Sequence, residues 1–140
     1  MRIMGIDPGI ATVGFGVIDS EKNRLKLVST GVIETPAHTS LSSRLDRIYD
    51  DTQELISTFS PDVVSVEELF FKKNITTGIS VAHGRGVVLL ACYKAGVQIF
   101  EYTPMQVKQA VVGYGLAEKK QVIYMVTSIL NMKSPPKPDD

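Results

Sequence analysis

Three strand-like runs stand at the head of this chain, and the connectors between them are too short to hold a helix. The runs cover about residues 2–7, 12–19 and 24–33. Arg2 to Ile6 is short, mostly apolar and rich in strand formers, and Gly14-Phe15-Gly16-Val17-Ile18 and Leu25 to Ile33 follow the same pattern. Asp19-Ser20-Glu21-Lys22-Asn23 reads as a polar hairpin loop. Adjacent strands joined this closely form an antiparallel meander. Asp7 stands at the end of the first run, and Pro8-Gly9 turns the chain directly after it.

The remainder alternates helix and strand. Ser40 or Ser42 caps a helix running to about Phe59, with Leu45, Ile48, Tyr49, Leu55 and Ile56 at helical spacing. Val63 to Glu68 is a short strand entered from that helix, which makes it parallel to an earlier strand. A helix over about 76–95 ends at Gly96, and a fifth strand spans Val97 to Tyr102. Thr103-Pro104 opens a helix to about Val112, Gly113-Tyr114-Gly115 breaks it, and a last helix covers Ala117 to Asn131. Ser134-Pro135-Pro136-Lys137-Pro138 excludes regular structure. The expected fold class is α/β, with a five-stranded mixed sheet flanked by helices in one domain over 1–140.

Composition narrows the function classes. The chain has 140 residues with 44% hydrophobic and 21% charged residues, an ordinary globular balance for a single core. No apolar run reaches bilayer length, and no basic-then-apolar leader stands at the N-terminus. The single cysteine, Cys92, lies in an apolar helical stretch and reads as a buried structural thiol, consistent with a reducing cytoplasm. The formal net charge of zero conceals a polarity. Residues 1–68 carry 6 basic and 11 acidic side chains, whereas residues 69–140 carry 9 basic and 4 acidic. Lys72, Lys73, Arg85, Lys94, Lys108, Lys119, Lys120, Lys133 and Lys137 therefore form either a solvated surface or a face that meets phosphates.

Glu67 and Glu68 end the fourth strand as Asp7 ends the first. If those strands are parallel neighbours, both ends reach one sheet edge. The two glutamates point to opposite faces, so one of them joins Asp7. Such a pair can share Mg2+, which takes few carboxylates together with water and phosphate oxygens. The alternative is that these acids are only exposed strand ends and a turn cap. Asp139 and Asp140 offer further carboxylates for two-metal phosphodiester cleavage, or are merely a solvated end. Phe70-Phe71-Lys72-Lys73 sets aromatics that can stack on bases beside lysines that can hold phosphates. Gly78, Ala82 and Gly86 recur at every fourth residue of one helix, where each glycine costs about 1 kcal/mol relative to alanine. Close packing on a partner subunit or on the chain's own sheet would offset that cost. His38 and His83 are isolated and lack ligand spacing.

These segments closely resemble the RuvC-type Holliday-junction resolvases. The resemblance runs through Gly5-Ile6-Asp7-Pro8-Gly9, Gly14-Phe15-Gly16-Val17-Ile18, Val66-Glu67-Glu68-Leu69-Phe70-Phe71-Lys72-Lys73-Asn74, Gly84-Arg85-Gly86-Val87, Phe100-Glu101-Tyr102, Gln106-Val107-Lys108-Gln109 and Ala117-Glu118-Lys119-Lys120-Gln121-Val122. It covers essentially the whole chain. It implies a ribonuclease-H-like fold and a homodimer that nicks four-way DNA junctions symmetrically with Mg2+ or Mn2+, two ions per site. It assigns Asp7, Glu67 and Asp140 to the metal site, and Phe70, Lys108 and Lys119 to the DNA. It places the dimer contact on the helix at 76–95, and a branch-migration motor complex among the partners. The family continues from Pro-x-Asp-Asp into an Asp-Ala-Ala-Asp-Ala helix. Asp140 matches the first carboxylate of that helix, and the second would lie three residues further on. With three of four carboxylates, the sequence as it stands is expected to be weakly active or inactive as a nuclease, and a non-catalytic junction-binding module is the alternative. Asp7-x-Gly9 with Gly14 and Gly16 also resembles the first phosphate loop of actin- and hexokinase-like ATPases, but those need a second lobe that 140 residues do not supply.

Overall fold

The computed structural model describes residues 1–69 and 75–137. The elements run β1 (Arg2–Asp7), β2 (Thr12–Glu21), β3 (Arg24–Glu34), α1 (Leu41–Phe59), β4 (Val63–Glu67), α2 (Ile75–Lys94), β5 (Gln98–Tyr102), α3 (Pro104–Val112) and α4 (Lys119–Ile129). The five strands form one sheet in the order β3-β2-β1-β4-β5. The opening meander is antiparallel, while β4 runs parallel to both β1 and β5. Both expectations hold.

The β2–β3 connection is tighter than the five-residue loop expected. β2 continues to Glu21, which faces Arg24, and the turn is Lys22-Asn23 alone. Both turn residues have positive φ, 45° and 64°. That is the twist two antiparallel strands need from a two-residue turn, and asparagine tolerates it. The last helix is shorter than expected, starting at Lys119. Glu118 is extended and caps the helix, its N–H donating to Gln121 Oε1 at 2.8 Å.

One face of the sheet carries the core. Met4, Ile6, Val13, Val17, Ile33, Val64 and Val66 alternate inward and are buried with Ile48 and Ile56 of α1 and Val88 and Cys92 of α2. Cys92 is fully buried, and burial pushes its thiol up to about 11, which fits an inert structural role. Gln53 of α1 donates to the Ala91 carbonyl of α2 at 2.9 Å, locking the two helices side by side.

The helix α2 rests on the loop after β1 through Gly84. A Cβ at Gly84 would lie 2.2 Å from the Gly9 carbonyl oxygen, so no larger residue fits without a backbone shift. Gly86 is exposed and has open space around the position of a Cβ. The two glycines therefore have different reasons. Gly84 is required by packing within the chain, whereas Gly86 lies in an outward stripe with Ile79, Leu90 and Tyr93, the last 79% exposed.

The opposite face of the sheet is sparsely covered. Gly5 and Gly16 face each other across β1 and β2, and neither has another atom within 4 Å of where a Cβ would stand. With Gly14, Ile18, Leu27, Thr30 and Ser65 they form the floor of a cleft of about 360 Å³, roofed by Val122, Ile123 and Val126 of α4.

Candidate metal and nucleic-acid site

The parallel pairing of β1 and β4 matches Ile6 with Val66, so the next residues, Asp7 and Glu67, end adjacent strands at the same edge. Both side chains line the cleft. Asp7 is exposed and Glu67 half-buried. Burial raises the Glu67 carboxyl from its ordinary 4.5 to about 7, and the Asp7 charge and a hydrogen bond with Asp7 push the same way. Two carboxylates this close repel unless a proton or a cation stands between them. In the absence of a cation, burial and the neighbouring Asp7 favour the protonated form of Glu67. Lys108 of α3 pulls the Glu67 carboxyl back down, which sets its ammonium near the pair. Lys119, at the first turn of α4, lines the same cleft.

Glu68, one residue past the end of β4, does not line this cleft. It lines a smaller cavity of about 190 Å³ with Asp7, Pro8, Glu67, Leu69, Val81, Arg85 and Pro104. Its backbone N–H donates to the Tyr102 carbonyl at 2.8 Å. Among the described residues, no group of three or more acidic, histidine or cysteine side chains is placed to hold a metal. Asp140 lies outside the described residues, as do Asp139, Phe70, Lys72 and Lys73. The donor set fits a hard divalent cation: oxygen ligands only, two neighbouring carboxyl groups held on rigid strand ends.

Of the other basic side chains expected at DNA, Lys120 is exposed one residue beyond Lys119. Arg85 has a different occupation. Its Nε donates to the Glu67 backbone carbonyl at 3.2 Å, and its Nη2 is bonded to the Glu101 carboxylate. Its side chain is only 17% exposed, so it is held within the fold rather than offered to a ligand. Sequence reasoning missed this role and missed Tyr102, which lines the cleft from β5. Strand alternation is the signal that reaches Tyr102, because Ile99 packs on the core and 102 has the opposite parity. Of the helical repeat, Gly86 is exposed while Gly78 and Ala82 are half-buried.

A five-stranded mixed sheet in this order, with acids ending its two central parallel strands, defines the ribonuclease-H-like class. Within it, residues 3–140 match the family model described as crossover junction endodeoxyribonuclease RuvC. The chain belongs to the RuvC family. It is 55% identical over its full length to the RuvC of Brevibacillus brevis, covering 84% of that protein. It is 54% identical to the RuvC of Ruminiclostridium cellulolyticum with the same coverage. The Thermus thermophilus RuvC structure in complex with Holliday junction substrate matches at 38% identity and a TM-score of 0.91, over 99% of this chain and 84% of that one. A yeast mitochondrial Holliday junction resolvase, at 14% identity and a TM-score of 0.70, shares the fold.

Proposed function

We propose that this protein is an endodeoxyribonuclease that resolves four-way DNA junctions by metal-dependent hydrolysis of phosphodiester bonds. The observation that carries the reading is the pairing of Asp7 with Glu67 in a cleft that Lys119 also lines, with the Lys108 charge acting on Glu67. The activity for which the family and its relatives are named supports it.

Asp7 and Glu67 are the residues that would hold Mg2+ or Mn2+, two ions per site, with Asp140 as a further ligand. Divalent cations so held supply a hydroxide nucleophile and neutralise the departing oxygen. The chain's own residues prepare this site. The strand ends fix the carboxylates on rigid backbone. Glu67 would hold the cation as the deprotonated carboxylate. Lys108 and Lys119 draw the phosphate towards the acids. Lys119 and Lys120 occupy the first turn of α4, where the helix dipole disfavours cations, and a phosphate there would relieve that cost. Phe70 is assigned to base stacking, and Lys72, Lys73 and Lys120 to the backbone.

A homodimer through the exposed stripe of α2 would present two such sites to a symmetric junction. Ile79, Gly86, Leu90 and Tyr93 are its contact residues, with Gly78 and Ala82 beside them. A branch-migration motor complex is the further partner. Among the described residues, no helix is long and apolar enough to cross a membrane.

The test uses a synthetic four-way junction. Asp7→Asn is expected to reduce Mg2+-dependent nicking at least about 100-fold, because it removes a metal ligand and not only an outer partner, while junction binding in chelator persists. Equal nicking by both proteins would reject the assignment. Binding with no metal-dependent nicking, even in a version carrying the family's final helix, would select the non-catalytic reading.

A further inference from the structure

Asp7 and Glu67 sit on two separate strands, and one helix reaches the end of both. At Gly84, α2 bears on the Gly9 carbonyl, two residues past Asp7, with backbone against backbone. At Arg85, the next residue, the guanidinium donates to the backbone carbonyl of Glu67 itself. The same guanidinium is bonded to Glu101, which pairs in register with Val66 from the neighbouring strand β5. Arg85 thus ties α2, β4 and β5 together at the level of the acidic pair. Arginine suits this task because its planar fork can serve a carbonyl and a carboxylate at once, whereas a lysine ammonium is a point charge on a flexible stem.

We propose that Arg85 is a positioning residue for the metal site, holding the Glu67 strand end at a fixed height while Gly84 holds the Asp7 turn. The proposal rests on the reading of Asp7 and Glu67 as metal ligands. It also removes Arg85 from the residues that contact DNA. The cation affinity of the pair depends on the relative placement of two strand ends, and outer residues that orient metal ligands are typically worth 10–100-fold in affinity.

Two measurements on the full 140-residue chain decide the matter. Mn2+ affinity is measured by the paramagnetic resonance signal of free Mn2+. Junction binding is measured in chelator across a salt series. Arg85→Ala is expected to weaken Mn2+ binding about 10–100-fold, with Arg85→Lys intermediate and Glu101→Gln weaker in the same direction. The salt slope of junction binding stays at the wild-type value, whereas losing a phosphate contact would lower it by about 1. Wild-type Mn2+ affinity in both Arg85→Ala and Glu101→Gln would overturn the proposal, and so would a salt slope lowered in Arg85→Ala. If circular dichroism shows that Arg85→Ala does not fold, Glu101→Gln alone decides, since it removes the anchor and leaves the guanidinium in place. Asp7→Asn is the control for the underlying reading. Unchanged Mn2+ affinity there would refute the metal site itself, a result separable from any behaviour of Arg85.

Discussion

The two faces of the sheet are built from opposite materials. The face under α1 and α2 is Val, Ile and Met, interlocked and closed to water. The face under α4 is floored by Gly5, Gly14 and Gly16 and stands open as a cleft. Alternation along the same strands produces both, since Met4 and Ile6 point one way and Gly5 and Asp7 the other. The difference teaches that stability and chemistry are assigned to different sides of one set of strands. Burial on the first face holds rigid the strand ends that the second face uses.

The sharpest way to break this comparison is to injure the closed face alone. Ile48→Ala removes a fully buried side chain from α1 and is expected to destabilise the fold by about 2–5 kcal/mol in denaturant melts. At a temperature where the variant stays folded, its Mn2+ affinity should equal that of the wild type. A large loss of affinity in the folded variant would show that the two faces are not separable.

A smaller effect comes from pH. The Glu67 carboxyl titrates near 7 in the folded protein and in its ordinary range when unfolded. The folded state therefore holds a proton that the unfolded state has released. Its contribution to stability is complete below about 4.5 and is lost as pH rises through about 7. In metal-free protein, the melting temperature of the wild type should fall relative to Glu67→Gln across that window. Saturating Mg2+ should reduce the fall. Parallel pH profiles for the two metal-free proteins would contradict the coupling.

The smallest effect is expected at the cleft floor. Gly16→Ala places a methyl group where nothing lies within 4 Å. Stability should rise by about 0.5–1 kcal/mol, the usual penalty of glycine in a strand. If the open face serves DNA or metal, that gain comes with slower nicking. A variant both more stable and fully active would show that the cleft floor has no functional constraint.

Much of this molecule was legible in its sequence. The meander, the parallel β4 and the α2 boundary at Gly96 follow from local signals: short polar connectors, a helix between two apolar strands, and a glycine at a φ of 74°. Asp7 and an acid at 67 or 68 were legible because each ends an apolar strand; the family resemblance pointed to Glu67, which the register sets beside Asp7. Arg85 was not, because its partner Glu101 lies 16 residues away on another strand and a basic residue on a helix reads as surface charge until that strand is in place. Gly84 and Gly86 look alike in sequence. Only the tertiary fold shows that one touches the Gly9 backbone and the other faces outward.

The contact at Gly84 has a mechanical meaning. Most helices meet their neighbours through side chains, which rotate and give when pressed. Here peptide meets peptide, and nothing soft lies between. A side chain introduced at Gly84 would therefore find nothing pliable to push aside and would have to displace the turn that follows Asp7.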